Sequence, residues 1–186
     1  NNVAIGSTAL DTNTTASNNT AVGYAALTAN TTGSGNVGVG PLTLTATTTG
    51  TTNVAMGYSA ASTNNTGVAN IAIGAYAFDA NTKGANNVAI GYNALTAFNY
   101  TSDADTYNVA VGGSAGAALT TGVQNVAIGG LALDAATTAS NNTAVGHAAM
   151  SSATTSAGNV AVGVSALGAN TSGSEGTAIG YNALGA

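Results

Sequence analysis

The sequence predicts an all-β fold, a parallel β-solenoid of about eleven 17-residue coils, and three observations carry that prediction. First, a glycine closes a motif of the type NNVAIG at positions 6, 23, 40, 57, 74 and 91, then at 112, 129, 146, 163 and 180. Every step is 17 residues except the one from Gly91 to Gly112, which is 21. Second, the residues ahead of each glycine alternate, as in Val3-Ala4-Ile5 and Val88-Ala89-Ile90. Alternation with β-branched residues, closed by Gly, is the pattern of a short strand ending in a tight turn. Third, a second apolar group follows each glycine ("STAL", "YAAL", "YNAL", "VSAL"), and a polar stretch such as "NTTGS" follows that. The polar stretch is rich in turn formers. Each coil is therefore expected to hold two short strands and two turns, and residues 1–186 to form one repeat domain with an enlarged coil at 91–112.

A repeat this short must stack. One coil offers only a few apolar side chains, too few to offset the entropy of fixing 17 residues. Stacked coils bury a continuous core and pair their backbones along the whole length. At roughly 4.8 Å per coil the rod is about 50 Å long. Equivalent residues then form ladders, and the sequence is best read in columns.

The Val and Ile columns are expected to point inward, with Leu10, Leu27, Leu44, Leu95, Leu133, Leu167 and Leu184 recurring on the second segment. Between Val and Ile stands a column of small residues: Ala4, Ala21, Gly38, Ala55, Ala72, Ala89, Ala110, Ala127, Ala144, Ala161 and Ala178. If Val and Ile face the core, this column faces out and forms a carpet of methyl groups. An uninterrupted apolar run is what a strand buried on both faces looks like, so the carpet is the candidate self-association face. The competing arrangement places both columns inside a wider coil.

Composition excludes several functions. One Lys, no Arg, six acidic residues and one His leave 4% charged residues, against about 25% in ordinary domains. With a net charge of −5 the chain has nothing to neutralise a row of phosphates, so nucleic acid is not an expected partner. Membrane insertion is not expected either, because the apolar runs are short and interrupted. There is no Cys, hence no disulfide framework and no thiolate metal site. His147 is the sole His and shares a column with Tyr24, Tyr58, Tyr92 and Tyr181. A nucleophile–base pair has no evident members, so neither an enzyme nor a cofactor is expected. The recurring glycines mark turns between strands, not a phosphate loop ahead of a helix.

Two features remain as candidate sites. The enlarged coil concentrates Phe98, Tyr100, Asp103, Asp105 and Tyr107, and aromatics with carboxylates suit a sugar or a Ca²⁺ ion. The plainer alternative is a solvated bulge or a contact to a neighbouring subunit. The Thr pairs, from Thr14-Thr15 and Thr31-Thr32 to Thr154-Thr155, occupy equivalent positions and raise an ice-binding alternative. Only one Thr of each pair can share a face, the pairs lie in the turn, and Lys83 breaks the column. Turn Thr satisfying backbone groups is the simpler expectation. Sequons at Asn13, Asn18, Asn30, Asn64, Asn99, Asn141 and Asn170 arise readily in a chain so rich in Asn and Thr.

The motif "NNVAIGSTAL", with "NNTAVGYAAL" and "NNVAIGYNAL", resembles the YadA-like head repeats of trimeric autotransporter adhesins and related fibre repeats of bacteria and tailed phages. The resemblance covers essentially the whole chain. It implies a left-handed β-roll, often trimeric, on a cell surface or virion and used for attachment. The coil here is longer than in those adhesin heads, and no coiled-coil stalk is present. The expected function is thus a structural subunit of an extracellular fibre or filament, self-assembling and adhesive. Its expected partners are itself, as a head-to-tail polymer or homotrimer, and surface glycans.

Overall fold

The structure, a computed structural model, describes residues 1–185. Eleven three-residue strands form one parallel sheet in chain order. They are β1 (Val3–Ile5), β2 (Thr20–Val22), β3 (Val37–Val39), β4 (Val54–Met56), β5 (Ile71–Ile73) and β6 (Val88–Ile90), then β7 (Val109–Val111), β8 (Val126–Ile128), β9 (Thr143–Val145), β10 (Val160–Val162) and β11 (Thr177–Ile179). Each pairs in register with the next, Ala21 opposite Gly38 and Ala89 opposite Ala110. The register therefore survives the enlarged coil. The parallel solenoid is as expected, with one coil per period.

The glycine at the end of each strand is required twice over. Gly91 has φ +133°, a conformation that L side chains rarely adopt, and a Cβ there would lie 2.5 Å from the carbonyl oxygen of Gly112 in the next coil. The corner is thus too tight for any side chain, which is why the motif closes on Gly in every coil.

The second segment departs from expectation: it is not a strand. Every second residue there has a positive φ, for example Ala25 (54°), Leu27 (53°), Leu42 (60°) and Leu44 (49°). Turn bonds such as Asn30 N–H to Leu27 O (3.1 Å) recur. Six residues of turn in this way lie against three residues of strand. Coil-to-coil pairing persists regardless: Ala25 N–H donates to Ser7 O (2.9 Å) and Leu27 N–H to Thr43 O (3.0 Å). Left-handed Leu is costly, about 1–2 kcal/mol per residue. The cost is offset by burial, since Leu27, Leu44, Leu95 and Leu133 are essentially inaccessible.

Inside and outside are the reverse of the expected assignment. From Ala21 to Ala178 the small column lies within the coil, its alanines no more than 3% exposed. The candidate self-association face Ala4, Ala21, Gly38, Ala55, Ala72, Ala89, Ala110, Ala127, Ala144, Ala161 and Ala178 is therefore not a surface; Ala4, on the outermost coil, alone is exposed. The Val and Ile columns point out. Volume decides this. The Leu side chains of the second segment fill the narrow coil and leave room opposite them for a methyl group only. Gly38 shows how little room remains, because a Cβ there would lie 3.6 Å from Leu27 Cδ1 and 2.9 Å from Thr43 Oγ1. Thr43 stands where the other coils have Ala, and the same coil has given up the opposing methyl.

A ladder of buried asparagine completes the interior. Asn19, Asn36, Asn53, Asn70, Asn87, Asn108, Asn125, Asn142 and Asn159 precede successive strands and are at most 2% exposed. Each side-chain oxygen accepts the backbone N–H of its successor, as Asn36 N–H to Asn19 Oδ1 (2.8 Å) and Asn53 N–H to Asn36 Oδ1 (2.9 Å). The amides also bond across the coil, as Asn36 Nδ2 to Gly50 O (2.8 Å) and Asn108 Nδ2 to Gly122 O (3.0 Å), except at the enlarged coil, where Asn87 Nδ2 donates to Asn70 Oδ1 (3.1 Å) and Ala85 O (3.0 Å) instead. Buried amides are stable only when satisfied in this way.

Candidate functional site: the outer sheet face and the enlarged coil

The outward columns of the sheet are Val, Ile, Thr and Met only, two columns wide and eleven strands long. Val3, Ile5, Met56, Ile71, Ile128, Val162 and Ile179 are between 36% and 72% exposed, Thr177 is exposed too, and the remainder are half-buried. No other segment of the described chain folds over this face. At roughly 50 Å by 10 Å it offers about 500 Å² of apolar surface, near the upper end of what a soluble monomer displays. The small column, expected from the sequence to face outward, lies on the opposite, inner side of these strands.

The enlarged coil takes its four additional residues between Tyr100 and Thr106. Lys83 N–H bonds Tyr100 O (3.1 Å), Ala85 N–H bonds Ala104 O (3.0 Å), and Asn108 N–H returns to the ladder on Asn87 Oδ1 (3.0 Å). Of the five residues expected to line a binding loop, Phe98 does not reach the surface. It is fully buried and stacks between Phe78 (centroids 5.7 Å apart) and Tyr100 (6.3 Å). Its position carries Asn in several other coils, so the aromatic fills the core where a turn-capping amide would otherwise sit. Tyr100 is half-buried against it.

Asp103, Asp105 and Tyr107 are exposed. The two carboxylates do come together, around an open cleft of about 380 Å³ lined by Thr66, Val68, Lys83, Ala85, Asp103, Ala104 and Asp105. Their oxygens are already engaged. Asn86 Nδ2 (2.6 Å) and the Tyr107 hydroxyl (2.9 Å) donate to Asp105. Thr66 Oγ1 donates to Asp103 (3.2 Å), and Lys83 Nζ stands 4.0 Å from it. The hydrogen bond to Asp105, and then its negative charge, hold the Tyr107 phenol above its ordinary pKa of 10.0. Among the described residues no three acidic or His side chains converge.

The first Thr of each pair is tied to the next coil. Thr14 Oγ1 donates to Thr31 O (2.9 Å), Thr120 Oγ1 to Thr137 O (2.9 Å) and Thr154 Oγ1 to Thr171 O (3.1 Å). These hydroxyls satisfy backbone carbonyls. The second Thr (Thr15, Thr32, Thr49, Thr121, Thr138, Thr155) is exposed, in a single file interrupted by Lys83 and Tyr100. Two sequons, Asn30 and Asn64, are fully buried, with Nδ2 bonded to Gly33 O and Gly67 O respectively.

Sequence reasoning missed the Asn ladder. Its signal was present: Asn precedes the strand in every coil from Asn2 to Asn159, a regularity that an exposed turn does not demand. No protein-family model, curated protein or solved structure matches the chain.

Proposed function

We propose that this chain is a structural subunit of an extracellular fibre, associating side by side with copies of itself through the outward Val/Ile face of its sheet. The observation that carries the reading is that face: apolar, flat, uncovered and continuous over eleven strands. Stacked β-branched side chains at strand spacing form ridges that a second copy can interlock, as in dry interfaces between sheets. The chain's near lack of charge removes the usual barrier to such contact. The resemblance of the NNVAIG repeat to YadA-like heads favours three copies around a common axis and a role in attachment.

Sedimentation velocity with negative-stain electron microscopy tests the reading. The expected result is an oligomer or elongated assembly, reduced to a 17.5 kDa particle when Ile73, Ile90 and Val111 are each replaced by Lys. A monomeric wild-type protein at high concentration contradicts it. The ice-binding alternative predicts thermal hysteresis, which the same preparation can be assayed for. Its support is the single file of exposed Thr.

A further inference from the structure

A row of aromatic rings stands just beyond the glycine corner of the sheet. Tyr24, Tyr58 and Tyr92 each follow the closing glycine, and they are 60%, 47% and 58% exposed. They occupy alternate coils, with Pro41 and Ala75 in the coils between. Their backbones are fixed to the solenoid: Leu42 N–H bonds Tyr24 O (2.9 Å), Tyr76 N–H bonds Tyr58 O (3.0 Å) and Ser114 N–H bonds Tyr92 O (2.8 Å). Two coils at strand spacing set successive rings about 10 Å apart along the rod. Tyr76 sits between the last two, its centroid 5.4 Å from Tyr58 and 6.3 Å from Tyr92, at 73° and 82° to them. That edge contact holds both rings in place.

Stability does not require these rings. Ser7, Gly113 and Gly130 take the same place in other coils, and large exposed aromatics in a regular row, on a chain with 5% aromatic residues, are otherwise unexplained. A row at this spacing, with its backbone fixed by the solenoid, matches the repeat of an extended polymer. A β-1,4-linked glycan repeats its orientation every two sugars, over a length close to the interval between these rings. Sugar rings present C–H faces that stack on aromatic side chains, while their hydroxyls need uncharged polar partners. Ser59 and Asn93 lie next in chain to Tyr58 and Tyr92. The chain's sole Lys, at position 83, lies outside this column, so an anionic polymer has no counter-charge here.

We propose that Tyr24, Tyr58 and Tyr92 form a platform for one extended, neutral β-1,4-linked polysaccharide chain lying along the rod axis. The inference rests on the ring spacing and stands whether or not copies associate through the Val/Ile face.

Retention on microcrystalline cellulose and on chitin, with cross-linked dextran as the α-linked control, tests it. The wild-type protein is expected to be retained on cellulose, chitin or both, and not on dextran. Cellulose alone assigns a glucan, chitin alone an N-acetylglucosamine polymer, and both assign the shared backbone. The combined variant Tyr24→Ala, Tyr58→Ala and Tyr92→Ala is expected to bind at least tenfold more weakly, with an unchanged circular dichroism spectrum. A spacing variant, Tyr58→Ala with Ala75→Tyr, keeps the number of rings but shifts one by a coil. It is expected to lose binding similarly, while Tyr181→Ala binds as wild type. Failure of the wild type on both polymers overturns the proposal. So does equal retention on dextran, undiminished binding by the triple or spacing variant, or disruption of self-association by the triple variant with no glycan bound.

Discussion

The two faces of each strand differ by a few methyl groups, and that difference organises the molecule. Ala89 and Ile90 are neighbours on β6, yet one is sealed in the coil and the other belongs to an open surface. Hydrophobicity alone assigns them the other way round, because Ile gains more from burial than Ala. Packing density overrules it, since the interior is already filled by Leu and a close-packed core tolerates little added volume. The lesson is that in a coil this narrow the smallest residue marks the inside. The larger apolar residues left outside are then free for another molecule.

Exchanging the two faces at one coil is the strongest challenge to this comparison. The double variant Ala89→Ile with Ile90→Ala conserves composition and hydrophobicity but forces bulk inward. Destabilisation of about 3 kcal/mol in denaturant unfolding is expected. A variant as stable as wild type would show that the interior is not volume-limited. Next in size is the Asn ladder, the polar counterpart of the Ala column. Asn108→Ala leaves Asn125 N–H without its acceptor and is expected to cost about 2 kcal/mol. The exposed Thr138→Ala, on the outside of the coil that Asn125 opens, is expected to stay within about 0.5 kcal/mol of wild type.

The Gly38–Thr43 pair sharpens the comparison within a single coil. Gly38→Ala is expected to cost about 1 kcal/mol, because its new methyl meets Thr43 Oγ1. Adding Thr43→Ala should remove most of that cost, and a double-mutant cycle reads the coupling. Additive effects would show that the two residues do not compete for the same space.

The smallest expected effect compares two carboxylates of one column. Asp79 accepts from Ser62 and Ser59. Asp134, with Ala117 in the place of Ser62, has a buried Oδ1 without a partner. Burial, against the opposing pull of backbone N–H groups and the neighbouring His147, raises the Asp134 pKa above 3.8. The folded state therefore holds its proton more tightly than the unfolded chain does. This group costs no stability below the unfolded pKa and destabilises increasingly as pH rises through the folded one. Asp134→Asn is accordingly expected to raise the melting temperature at pH 7, with the gain vanishing as pH falls below the carboxylate range. A gain equal at pH 7 and pH 3 would mean that ionisation is not its cause.

Much of this architecture was legible in the sequence because a ladder repeats its message. The period, the Gly corners and the Leu column each recur in nearly every coil, and all stand in the structure where the columns placed them. The direction of the strands' side chains was not legible in the same way. Alternation states that Val3 and Ala4 face opposite sides but not which side is inside. What decides it is the paired irregularity of Gly38 and Thr43, where a small residue yields to a larger one across the coil. The second segment reads as a strand because most copies, such as "YAAL", carry residues other than Gly and Asn at the left-handed positions; only Asn93, Gly116 and Asn182 announce them. Phe98 reads as a surface aromatic because its coil is enlarged. The four added residues bulge after Tyr100, leaving Phe98 in the core.

The central claim is that the Val/Ile face is where copies meet, and site-directed thiol labelling tests it most directly. The chain has no Cys, so an introduced one reports alone. Ile90→Cys is predicted to react slowly in the native assembly. It should react rapidly once the Lys substitutions at Ile73 and Val111 have separated the copies. Ala89→Cys, inside the coil, should be slow in both states. Rapid labelling of Ile90→Cys in the native assembly would contradict the account.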